Sequence, residues 1–146
     1  MRLALPLLVV LSIAFAPAPT PKDRGRDRRS DLERLQGEWV VTSTTCESIV
    51  VQPLEPPATI IKGNEITYVV RGGAPSHWTL TLDVRASPRR FVLKRREGQQ
   101  EEYAGVYAFE GGVLRMCSRL AIDGPPVTDF GGGKRVWVEV LERKKR

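Results

Sequence analysis

The chain is poor in the residues that build reactive sites. It has 146 residues, yet holds one histidine, His77, and two cysteines, Cys46 and Cys117. One His and two distant Cys supply no ligand cluster for zinc or a related metal. Two cysteines exclude the dense disulfide lattice of a small secreted scaffold. After residue 16 there is no long apolar run, so the rest of the chain offers no membrane-spanning helix, which needs about 20 apolar residues. Nucleophile motifs are missing too. Ser76, His77 and Asp83 lie in one short stretch. Neighbours along one strand cannot form the relay that activates a serine. The segment 129–135, DFGGGKR, lacks the spacing of a phosphate loop and reads as a flexible hairpin. The carboxylates Glu38, Glu65 and Asp83 are scattered, with no pairing visible. No cofactor and no catalytic residue are expected, and the chain reads as a non-enzyme.

A basic fold surface is also lacking. The formal charge is +6, but residues 31–142 hold 13 basic against 15 acidic residues. The excess sits at the ends, in 17–29 and in Arg143–Arg146. Specific nucleic-acid binding would want a basic face on the fold itself. One internal cluster exists: Arg85, Arg89, Arg90, Lys94, Arg95 and Arg96, followed by Glu97, Glu101 and Glu102. It reads as a solvated strand edge, the alternative being a site for a polyanionic surface.

What is present falls into four segments. Residues 1–18 read as a signal peptide: Arg2 precedes the apolar Leu3–Ala16, and Ala14-Phe15-Ala16 fits the small-x-small cleavage pattern. Cleavage follows Ala16 or Ala18, and the alternative is a retained N-terminal anchor. Export to the periplasm, envelope or exterior follows, with no transmembrane span after cleavage. Residues 19–29 are a Pro/Arg-rich linker that buries no apolar area and is expected to be disordered. Residues 30–143 form the domain, and 144–146 a basic tail.

The domain opens with SDLERLQGEW, Ser30–Trp39. Ser30 and Glu33 have capping-box spacing, and Leu32 and Leu35 share one face, predicting a helix over 31–36. Gly37 ends it in a left-handed conformation. Alternating or short apolar pieces then predict strands over 38–46, 57–62, 65–71, 77–84, 90–95, 103–109, 113–118 and 135–142, separated by Gly- and Pro-rich turns. Eight short strands with hairpin links predict an all-β, antiparallel up-and-down barrel. Such an interior is either filled by side chains or holds one small ligand.

A helical turn, Gly37-Glu38-Trp39 and an eight-strand meander together resemble the lipocalin or calycin pattern. DLERLQGEWVVTS, IIKGNEITYV, LTLDVRASPRRFVL, GVYAFEGGVLRMC, VTDF and VEVLERKK are more closely similar to a family of small exported planctomycete-type domains. That family has no assigned function and a lipocalin-like fold. The pieces cover nearly all of residues 31–145. The family usually carries Arg-Pro before the position of Phe130, where this chain reads Pro126-Val127-Thr128-Asp129, so that loop differs. The lipocalin resemblance implies that Trp39 plugs the closed end of the barrel and that an Arg after the last strand packs over the indole. The last strand ends at the closed end, so Arg143 is the candidate. One pattern opposes it. Val136, Val138 and Val140 form the more apolar face of that strand, while Arg143 shares parity with Trp137, Glu139 and Leu141. On a regular strand, Lys144 or Arg34 would take the place instead.

Two functions remain open. In one, the barrel binds a small apolar ligand at its mouth, with Val51, Leu54, Tyr68, Trp78 and Tyr107 as candidate contacts and 47–57 as a Pro-stiffened lid. In the other, Trp39, Tyr68, Trp78, Phe91, Tyr107 and Phe109 fill the interior, and the domain is a structural or interaction module for an envelope protein or polyanionic surface. Cys46 and Cys117 sit near one rim on strands separated by a third, a gap of about 10 Å, which argues against a disulfide.

Overall fold

The computed structural model describes residues 27–145. The expected signal peptide, and the linker through residue 26, lie outside the described residues.

Helix α1 spans Asp27–Leu35. It begins earlier than the capping pattern predicts, so residues 27–29, expected as disordered linker, are helical and Ser30 lies inside the helix. A buried contact holds this helix in place. Asp31 is fully buried and accepts hydrogen bonds from Tyr107 Oη at 2.8 Å and Arg89 Nη1 at 2.9 Å. The helix is pinned to the barrel through an acid in its middle.

Nine strands follow: β1 (Gly37–Cys46), β2 (Ile49–Val51), β3 (Ala58–Lys62), β4 (Glu65–Val69), β5 (Ser76–Asp83), β6 (Arg90–Arg95), β7 (Glu102–Glu110), β8 (Val113–Leu120) and β9 (Trp137–Arg143). From β3 onward each strand pairs antiparallel with its successor, and β9 closes back on β1. The eight-stranded barrel is therefore β1 and β3–β9, as the turn pattern predicts. Closure leaves no exposed edge on that wall.

β2 is the departure. Glu47 and Ser48 adopt positive φ and fold Ile49–Val51 back onto Thr44–Cys46. The first part of the expected lid is thus an exposed hairpin strand on the barrel rim. A second irregularity is a bulge in β1 between Val41 and Ser43, where Thr42 Oγ1 donates to Val140 O at 3.1 Å. The extra residue bends the wall where β1 must serve two partners, β3 below and β2 above.

Two apolar clusters form. The inner one includes Leu35, Trp39, Val41, Ile61, Ile66, Leu80, Phe91, Tyr107, Leu114 and Leu141. The outer one joins Val106, Cys117, Val127, Val136 and Val138, with Phe130 against it. The outer cluster anchors the β8–β9 connection on both sides of the expected flexible hairpin, 129–135. The β8–β9 connection lies on the outside of the barrel and buries Val127 and Val136. It also explains why β9 has an apolar face that does not point inward. Val136 and Val138 are covered from outside, and Leu141 and Arg143 face in.

Candidate functional site: a half-filled barrel

The closed end is built around the Gly-x-Trp stretch. Trp39 is 1% exposed and donates Nε1–H to Leu35 O at 2.7 Å. Arg143 lies over the indole, with Cζ 4.5 Å from the ring centroid. Its Nη1 donates to Gln36 O at 2.8 Å and its Nη2 to Arg34 O. These bonds satisfy carbonyls that the end of α1 leaves without intrahelical partners. Arg34 instead lies over Phe109 at 3.9 Å, and Lys144 pairs with Glu38 at 2.7 Å. The Arg143–Trp39 pairing implied by the resemblance is the one present, not its alternatives.

Above this plug the lower half of the barrel is solid. Leu35, Ile61, Ile66, Leu80, Phe91, Tyr107 and Leu114 leave a residual void of only about 10 Å³. The upper half is hollow. A cavity of about 360 Å³ opens at the mouth. Its wall is apolar and aromatic: Tyr68, Trp78, Phe91, Leu93, Tyr103, Met116 and Trp137, with Pro57 and Val70 at the rim. Ser76, Ser118 and Glu139 are its polar members. Useful ligand sites begin at about 300 Å³, so this one is large enough for a small molecule.

Of the candidate contacts, Tyr68 and Trp78 line the cavity, their rings edge to face at 6.3 Å. Trp78 also meets Tyr103 at 5.6 Å. Tyr107 does not line it. It belongs to the closed half, where its hydroxyl serves Asp31. Val51 and Leu54 do not line it either. Val51 is on exposed β2 and Leu54 is fully exposed beyond it. Gly37 holds φ +114°, and a Cβ there would sit 3.2 Å from Arg143 Nη1, so the glycine serves both the turn and the arginine.

Glu139 carries the cavity's chemistry and is not visible from the apolar pattern of β9. On the inner face its cross-strand neighbours are Thr44 and Met116. No described side chain of opposite charge pairs with it. Burial pushes its carboxyl above the usual carboxylate range. The Tyr68 and Tyr103 phenols are pushed up as well, first by burial and then by nearby acids that include Glu139. The signal that would have found it is parity with Arg143: once Arg143 faces in, Leu141 and Glu139 must face in with it.

The other candidate features have structural partners. Arg89 pairs with Asp31, Lys94 with Glu102, Arg95 with Glu101, and Arg96 with Glu65. Four of the six basic residues of the cluster are therefore ion-paired. His77 Nδ1 lies 3.2 Å from Thr67 Oγ1 on the outer face, and Asp83 accepts from the Arg85 backbone N–H. Both cysteines are free thiols. Cys117 is opposite Val138, which is opposite Thr45, so Cys46 lies one residue on and faces the other side of the wall. Among the described residues no helix is long and apolar enough to cross a membrane. Comparison with protein-family models, curated proteins and solved structures finds no match for the chain.

Proposed function

We propose that this chain is an exported, non-catalytic binding barrel that holds a small apolar ligand in its mouth. The observation that carries the reading is the 360 Å³ aromatic-lined cavity above a solid closed end. A structural module has no use for a hollow half, because an unfilled interior forfeits packing contacts. The hydrophobic Leu3–Ala16 stretch before Pro17 supports export, and the resemblance to small exported lipocalin-like domains points the same way.

A second reading has its own observation. Ile49, Val50, Val51 and Leu54 are exposed together beside the mouth. An apolar rim of this kind suits docking onto an envelope protein, with the cavity serving or served by that contact.

Native mass spectrometry of the protein purified from its own source separates the two. A co-purifying small molecule, released on denaturation, supports the binding barrel. A stoichiometric protein partner with no small molecule supports the module. The mass of the mature chain also reports export: cleavage after Ala16 or Ala18 is expected, and an intact Met1 would contradict it.

A further inference from the structure

Among the described residues that line the mouth cavity, one carries a charge, and it is negative. Glu139 is the only acid among them, and none is Lys, Arg or His. Placing a carboxylate in an apolar barrel is unfavourable unless something opposite in charge joins it. The neighbours of Glu139 on the inner face, Thr44 and Met116, offer it no cation.

Around this acid stands an aromatic wall. Tyr68, Trp78 and Tyr103 form a continuous edge-to-face series, and Trp137, 42% exposed, stands at the rim two residues before Glu139 on the same face of β9. Aromatic faces attract cations, most strongly where water is excluded. The charged groups that act on Tyr103 in this wall, other than Glu139, are already matched. Arg95 lies 5.8 Å from the Trp78 ring and is bound to Glu101 at 2.7 Å, and Asp123 is bound to Arg135 at 2.6 Å. Neither pair leaves a cation for Glu139.

We propose that the cavity is built for an amphipathic organic cation, an amine or quaternary ammonium on an apolar body, with its charge between Glu139 and the aromatic wall. The proposal rests on the ligand-binding reading above and names the ligand class. An anion such as a fatty carboxylate would meet Glu139 with no counter-charge. A neutral apolar ligand would bury the acid further and gain nothing from it. A cation satisfies the acid and the ring faces together.

The test compares three probes of one chain length on the full chain: octyltrimethylammonium and octanoate below their micellar concentrations, and octanol below its solubility limit. Binding is read from tryptophan fluorescence and calorimetry. The cation is expected to bind at least about tenfold more tightly than either of the others, a difference of about 1.4 kcal/mol. In Glu139→Gln the cation preference should fall to within about threefold, with octanol affinity unchanged. Cation affinity should also fall as the solution is acidified and the carboxyl takes up a proton, while octanol affinity stays level. Octanol or octanoate binding as tightly as the cation to the unaltered chain would overturn the cation assignment and leave the ligand-binding reading standing. A preference that survives Glu139→Gln would overturn the role of Glu139. Failure of all three probes to bind would overturn both.

Discussion

Arg143 and Trp39 are cross-strand partners in the β1–β9 register, and the guanidinium lies 4.5 Å from the centre of the indole. The same guanidinium holds Gln36 O and Arg34 O, and the indole N–H holds Leu35 O. One stacked pair thus closes the barrel bottom and finishes the helix. Trp39→Ala is expected to cost about 3–5 kcal/mol, the range for a buried aromatic. Arg143→Ala should cost about 1–2 kcal/mol, from the lost ring contact and the carbonyls left to solvent. Arg143→Lys should recover little, because an ammonium lacks the fork that reaches two carbonyls. Urea denaturation measures all three, and a Trp39→Ala loss under about 1 kcal/mol would remove the plug from this account.

Asp31 ties the helix to the barrel. Its carboxylate is fully buried and receives Tyr107 and Arg89. Asp31→Ala should cost about 3–5 kcal/mol, since it strips a buried charge network of its acceptor. Tyr107→Phe, which removes one bond, should cost about 1 kcal/mol. Equal losses for the two would show that Asp31 acts through the hydroxyl alone.

Gly105 stands where β8 leaves no room for a side chain on β7. A Cβ there would lie 1.9 Å from Cys117 O, a backbone atom that cannot step aside. Gly105→Ala should cost about 3 kcal/mol or more and broaden the unfolding transition as the wall is pried apart. A melting temperature unchanged from the parent chain would place the strands farther apart than described.

Glu139 gives a pH signature in the empty protein. Its folded-state carboxyl is raised by burial, so the unfolded chain ionises first as pH rises. Burial of the acid therefore weakens the fold progressively from the ordinary carboxylate range, about 4.3, up to the raised folded value, and uniformly above it. Glu139→Gln should match the parent at acidic pH and exceed it in stability at neutral pH. Denaturant midpoints at the two pH values measure this, and a variant less stable at neutral pH would give Glu139 a hidden partner.

The strands were legible because each is short, alternating and bounded by Gly, Pro or Asn. Leu80 and Leu82 alternate with Thr79, Thr81 and Asp83, and Gly63 supplies the positive φ, 62°, of the turn between β3 and β4. The Gly37–Trp39 motif was legible because a helix end, a positive φ and a buried ring meet in three residues. Three things were not. β2 is three residues followed by Gln52 and Pro53, too brief for a period to register. The first turn of α1, Asp27 to Ser30, has no apolar residue, so no apolar face announces it. Glu139 was masked by Val136 and Val138, whose apolar side is covered from outside by Val127 and Phe130 rather than from within. Periodicity reports that a face is buried, and it does not report which side of the wall does the burying.

The most direct test of the central claim is a titration of the purified chain with N-phenyl-1-naphthylamine, a neutral apolar fluorophore, against a variant whose mouth is filled. Ser118 lines the cavity beside Trp137, so Ser118→Trp places a large ring in the open space without touching the closed end. The account predicts saturable binding at one probe per chain, with quenching of tryptophan emission, and loss of that binding in a Ser118→Trp protein that unfolds at the parent's denaturant midpoint. Non-saturable binding, or equal binding by a folded Ser118→Trp variant, would contradict it.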